Sequence, residues 1–107
     1  MNYGLRVIRL VQSLPKDQVA TVLGNQLLRA GTSVGANYRA AVRGKSRADF
    51  ISKMGNVEEE CDETLYWMEM LVESGTVKSK RLKALMSEGD EILAIVVASI
   101  KTARRNK

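Results

Sequence analysis

A chain of 107 residues has room for one hydrophobic core and is too short for two. Apolar side chains make up 45 % of it and charged ones 27 %, a balance that fits a folded globular protein and excludes an intrinsically disordered one. Seventeen Lys and Arg against 12 Asp and Glu give a net charge of +5, which permits polyanion binding without demanding it; with no histidine, Ser-His-Asp catalysis and the His-containing metal motifs are ruled out.

Good helix formers dominate, aromatics are 5 % of the chain and there is one proline, so an all-α fold is expected. The 3.6-residue period marks four amphipathic stretches within one domain spanning 1–107, at about 2–14, 17–43, 46–74 and 79–104. Short links between them imply an antiparallel, up-down-up-down four-helix bundle.

In the first stretch Tyr3, Val7, Leu10 and Leu14 share one face and Leu5, Ile8 and Val11 a second, so burial on two sides is expected. Pro15 ends it and Asp17 is the candidate N-cap of the next helix. The second stretch carries Val19, Leu23, Leu27, Ala30, Val34, Tyr38 and Ala41 along one core seam. Gly24, Gly31 and Gly35 run beside that seam; each costs a helix about 1 kcal/mol relative to Ala, so close approach of a neighbouring backbone is expected there.

Gly44 breaks the pattern, and Ser46 followed three residues later by Asp49 resembles a capping box. The third helix alternates apolar residues by four and three, through Phe50, Met54, Val57, Cys61, Leu65, Met68 and Val72, and Gly75 is its stop. In the fourth, Leu82, Leu85, Met86, Leu93, Val96 and Ile100 form the core face, while Ile92, Ile95 and Val97 widen the apolar arc. An arc that wide is expected to meet a second subunit, together with the extra face of helix 1; the alternative is a core wrapped within a tight monomer. Tyr66 and Trp67, on the non-core side of helix 3, are expected in the same subunit contact, with Trp67 as an anchor rather than a base-stacking platform. The tail 104–107 is expected to fray.

No catalytic residues, metal ligands or cofactor site emerge from the sequence. The glycine-containing run 31–35 lies within a helical pattern rather than after a strand, which makes it packing and not a nucleotide cradle. Cys61 is the only cysteine, a small core residue that fits a reducing compartment. With no long apolar run, the expected location is the cytoplasm and no membrane partner is foreseen.

The charges segregate. Residues 1–57 carry a net +7, residues 58–73 a net −7 and the remainder +5. Within the acidic run, Glu59, Glu60 and Glu63 are expected on the solvent side, whereas Glu58 falls beside the core seam and should need a cationic partner. Arg29, Thr32, Ala36, Arg39 and Arg43 lie opposite the core stripe of helix 2, and Lys45 and Arg47 continue the positive charge across the turn. This is the best candidate surface for phosphate, followed by Lys101, Arg104 and Arg105; alternatives are an ion pair of Arg29 with Glu58 or another helix-3 acid, and helix-dipole complementarity for the tail.

The segment Gln26-Leu27-Leu28-Arg29-Ala30, then Ser33-Val34 and Asn37, Phe50, and the run from Glu58 to Trp67 resemble the bacterial family of 23S rRNA-intervening-sequence proteins. The resemblance implies a four-helix bundle assembled as a ring-like homopentamer without enzyme activity. It extends to the accessory variability proteins of diversity-generating retroelements, basic pentamers that associate with a reverse transcriptase and nucleic acid. The family's Arg and Asn fall on Arg29 and Asn37, expected first as structural groups joining helices 2 and 3. The sequence departs from the family after Asn37, where Tyr38-Arg39-Ala40-Ala41 stands in place of Ile-Ala-Glu-Gly, losing an acid and gaining a base. The expected function is a homo-oligomer binding RNA or DNA through Arg and Lys; the alternative is an adaptor recruiting a protein such as a polymerase.

Overall fold

Local signals start the two middle helices and stop the third. The computed structural model describes residues 2–106 and holds α1 (Tyr3–Gln12), α2 (Gln18–Val42), α3 (Arg47–Glu73) and α4 (Ser79–Arg105). The Asp17 carboxylate accepts the Ala20 N–H at 2.9 Å and Ser46 Oγ accepts the Asp49 N–H at 3.0 Å, so both foreseen N-caps form. Asp49 does not complete a capping box by reaching back to Ser46; its carboxylate takes the Lys45 N–H at 3.2 Å and Lys53 Nζ at 3.1 Å. Gly75 stops α3 at φ +79°, where the Gly75 N–H meets the Val72 carbonyl at 3.0 Å and the Val77 N–H meets the Leu71 carbonyl at 3.1 Å. At the tail, α4 stays helical through Arg105, past the point where fraying was expected, and Lys107 lies outside the described residues.

Neighbouring helices pair in opposite registers. Val7 of α1 lies against Gly31 of α2 and Leu14, beyond α1, against Gly24. Arg29 of α2 meets Glu60 and Glu63 of α3, and Gly44 lies by Asp49 and Phe50. Leu65 of α3 touches Gly89 of α4, and Arg6 of α1 pairs with Glu88. The result is an antiparallel all-α four-helix bundle, 50 × 20 × 19 Å, in which α1 and α3 each pack against both α2 and α4.

The core runs through all four helices, with Tyr3, Val7, Leu27, Val34, Met54, Met68, Leu71 and Leu82 almost wholly enclosed. Leu71 and Thr64 belong to it although the four-three alternation passed over them; the Thr64 hydroxyl donates to the Glu60 carbonyl at 2.6 Å, so its burial leaves no orphan donor. The closeness expected at Gly24 and Gly31 is real, but side chains of the α1 segment fill it: an added Cβ would sit 2.9 Å from Leu14 Cδ1 and 2.7 Å from Val7 Cγ1. Gly35 has no such neighbour.

Two residues assigned to the α2 seam are exposed, Val19 at 52 % and Tyr38 at 42 %. The periodicity was right about their side of the helix, but among the described residues both stay exposed there. Val19 sits at the bundle end beside Ser74, Gly75 and Thr76. Tyr38 follows Gly24 and Gly31 at seven-residue spacing, on the line that faces α1. Helix α1 is only 10 residues long against 25 for α2, and its Gly4 is already level with Gly31 and Thr32, so α1 begins about one and a half turns short of Tyr38.

Candidate nucleic-acid interface

Antiparallel packing brings together two basic clusters that lie far apart in the chain. The end of α2, the turn after it and the start of α3 carry Arg39, Arg43, Lys45, Arg47 and Lys53; the last turns of α4 carry Lys101, Arg104 and Arg105. Phe50 in α3 lines a groove with Ile95, Ser99, Thr102, Ala103 and Asn106 of α4, which places both clusters at the same end of the bundle. That end holds eight cations and one acid, Asp49. Lys53 pairs with Asp49, whose carboxyl is held below the usual range first by the Lys53 hydrogen bond and then by the Lys45 N–H. The other seven cations are exposed and, among the described residues, have no carboxylate partner. The opposite end has Lys16, Lys78, Lys80, Arg81 and Lys83, offset by Asp17, Glu69 and Glu73.

Arg29 does not join the basic end. Its guanidinium bonds Glu63 and approaches Glu60 at 3.7 Å, so it ties α2 to α3 through the acidic run, as one of the sequence alternatives had it. The hemmed acid is Glu60, not Glu58: the Glu60 side chain is 22 % exposed, and its Oε2 is buried without a hydrogen-bond partner. Burial first, and the charge of Glu63 next, push the Glu60 carboxyl above the ordinary glutamate range against the pull of Arg29. Glu58 has no cationic partner among the described residues; it lines a groove of about 360 Å³ with Gly55, Glu59, Asp62, Leu93 and Val97, where water can solvate it. Asn37 is half-buried, and no side-chain hydrogen bond joins it to α3 among the described residues.

The apolar residues assigned to a subunit contact divide. Tyr66 and Ile95 stand out at 50 % and 65 % exposure. Trp67, Ile92 and Val97 are half-buried within the protomer; Trp67 packs on the core, donates its indole N–H to Glu63 at 3.3 Å and meets the Tyr66 ring edge-on at 4.9 Å between centroids. Leu5 and Val22 are also exposed. Sequence periodicity did not single out Val22, because an isolated valine opposite a seam carries no pattern.

Two buried groups have chemistry without access. The Cys61 thiol is enclosed, and burial followed by the charges of Glu58 and Glu60 pushes it up to about 11. The Tyr3 hydroxyl is buried without a hydrogen-bond partner, and burial raises its pKa. Among the described residues no three Cys, Asp or Glu side chains are grouped to hold a metal, and no helix is long and apolar enough to cross a membrane.

Fold and surface together define a small helical bundle with a cationic end and an acidic waist. The family model for the 23S rRNA-intervening sequence protein matches residues 1–98. A crystal structure of a protein of unknown function from the S23 ribosomal protein family of Bacteroides thetaiotaomicron is similar, with a TM-score of 0.87 and 34 % identity over 94 % of this chain and 93 % of that one. No protein of curated function matches the sequence. The chain belongs to the 23S rRNA-intervening sequence protein family.

Proposed function

We propose that this protein is a non-enzymatic homo-oligomer, a pentamer as its family resemblance implies, that binds RNA or DNA in the bacterial cytoplasm through the phosphate backbone. What carries the reading is the gathering of eight cations and a single acid at one end of the bundle. Arg and Lys without carboxylate partners release counterions from a polyanion on contact, which supplies affinity with little base specificity. A closed ring points every protomer the same way, so all the cationic ends would share one rim and act on one strand together. Exposed Tyr66, Leu5 and Val22 offer apolar surface for that assembly.

The test is a titration of labelled 20-nucleotide RNA and DNA by fluorescence anisotropy at 50 and 200 mM salt. Six to ten phosphate contacts correspond to a fall in affinity of roughly 10³- to 10⁵-fold between those conditions. Arg43→Ala combined with Arg104→Ala should lower the salt slope by about 2. Absence of binding at 50 mM salt refutes the proposal. The groove of Gly55, Glu58, Glu59, Asp62, Leu93 and Val97 favours a second reading, an adaptor whose acid-rimmed apolar floor takes a basic segment of another protein such as a polymerase.

A further inference from the structure

One face of α1 and one groove between α3 and α4 are left without a partner, and their characters are opposite. In α1, Tyr3, Val7 and Leu10 are buried, while Leu5 stays 54 % exposed, with Ile8, Arg9 and Gln12 following it around the same outer side of the helix. Arg6 pairs with Glu88, but Arg9 is exposed and has no carboxylate partner among the described residues. Residues 2–16 hold no acid, so this face is apolar and cationic. The groove has Leu93 and Val97 of α4 as its apolar side and Glu58, Glu59 and Asp62 of α3 as its rim, none of them with a cationic partner among the described residues. Gly55 also lines it. A glycine in mid-helix is destabilising, and no contact inside the protomer calls for this one, since an added Cβ would meet nothing.

We infer that this groove receives α1 of a second copy of the chain, with Leu5 against Leu93 and Val97 and Arg9 among Glu58, Glu59 and Asp62. The inference rests on the homo-oligomer reading above and names the two surfaces that meet. Charge selects the occupant. Half-buried Glu58 finds no cation in its own protomer, and covering the groove takes away its water, so whatever docks there must bring a positive charge, as Arg9 does. Shape agrees with a helix: from Gly55 to Asp62 the groove runs about 10 Å along α3, two turns, which matches Leu5 and Arg9 one turn apart, and the bare Gly55 lets another backbone come close. The adaptor reading uses the same groove; a second copy is favoured because the complementary face is already present in the chain, exposed and unpartnered. Among the described residues α1 and α3 do not pack against each other, so donor face and acceptor groove are distinct surfaces. Each copy can therefore give α1 to one neighbour and receive it from another, the head-to-tail contact that closes into rings.

The experiment is native mass measurement on the full chain over a concentration series, with two variants that each remove one half of the contact. Leu5→Glu sets an acid against the acidic rim and leaves the groove intact; Gly55→Leu fills the groove and leaves α1 intact. Leu5→Glu should weaken assembly roughly 100-fold or more, because like charges then meet across the contact, and Gly55→Leu should likewise shift the mass to that of the monomer. Neither position belongs to the core, so no cavity opens, and an unchanged helical circular dichroism spectrum verifies the fold. Arg9→Glu and Asp62→Arg, both at exposed positions, stand in for them where either does not fold. Mixed in equal amounts, the two variants should form a heterodimer and nothing larger, because each pair then holds one intact α1 and one intact groove. The inference is overturned if either variant keeps the parent's mass, if the mixture stays monomeric, or if a Lys- and Arg-rich amphipathic peptide binds the parent and Gly55→Leu abolishes that binding without changing the mass, which assigns the groove to another protein. A parent oligomer untouched by both variants ends this inference and spares the proposed function; a parent that is monomeric at every concentration ends the homo-oligomer reading with it.

Discussion

Replacing Gly31 by Ala sets two effects of known size against each other. In an open helix the change stabilises by about 1 kcal/mol, because glycine loses the most backbone freedom on folding. Here the new Cβ would lie 2.7 and 2.9 Å from the two Cγ atoms of Val7 and 3.1 Å from its Cβ. Ordinary carbon contacts are about 3.5–4.0 Å, so Val7 must retreat by roughly 1 Å. It cannot do so by rotating, because a helical valine has one strongly preferred rotamer and its Cβ is itself too near. All of α1 must shift, against the Arg6–Glu88 pair and the Tyr3 hydroxyl seated by Gly89. Overpacking of this kind costs about 1–3 kcal/mol, and motion of a whole element puts it at the upper end, for a net loss of about 1–2 kcal/mol. The melting temperature should fall by roughly 5–10 °C. Gly35→Ala provides the contrast: its Cβ meets nothing, the position is exposed, and Tm should rise by about 4 °C. Thermal melts followed by circular dichroism at one protein concentration measure both. A Gly31→Ala variant at least as stable as Gly35→Ala would refute the reasoning, and Val7→Ala in the Gly31→Ala background should cost less than Val7→Ala alone.

The raised Glu60 pKa makes a pH-dependent prediction: the folded state holds that proton more tightly than the unfolded chain, so its contribution turns unfavourable as pH rises through the unfolded value and reaches its full size above the raised one. Glu60→Gln should therefore raise Tm at pH 7, with the gain fading below about pH 4, which a series of melts would check. Cys61, enclosed and shifted up to about 11, should resist a thiol reagent at pH 8 in the native protein and react fully in denaturant, as read by absorbance. Asp17→Ala should destabilise by about 1 kcal/mol through loss of the Ala20 N–H acceptor, measurable by urea denaturation. Leu27→Ala, at a fully enclosed position, should cost about 3–5 kcal/mol in the same assay.

Much of the fold was legible because helix ends are written locally. Asp17, Ser46 and Gly75 act through atoms within a few residues of themselves, so the four helices begin and end within a residue or two of where the sequence put them. Core faces were readable wherever a partner helix runs alongside, as at Leu27, Val34, Met54, Cys61, Met68 and Leu82. The reading failed where periodicity continues beyond the partner's end: Tyr38 repeats on the α1-facing line, but α1 is too short to reach it. It failed again among the acids, because which of Glu58, Glu60 and Glu63 meets Arg29 depends on the register between α2 and α3, which no local signal encodes.

The site shows the same division. Sequence alone determined that the chain is helical, that it lacks histidine chemistry, and that its charges segregate into basic flanks and an acidic middle, since composition and spacing are properties of the chain itself. Only tertiary structure decided that Arg43 and Arg104, sixty-one residues apart, share one end, that Arg29 is spent on the acidic waist, and that Tyr38 faces solvent. Those outcomes depend on antiparallel register and on relative helix length, quantities that exist only between elements.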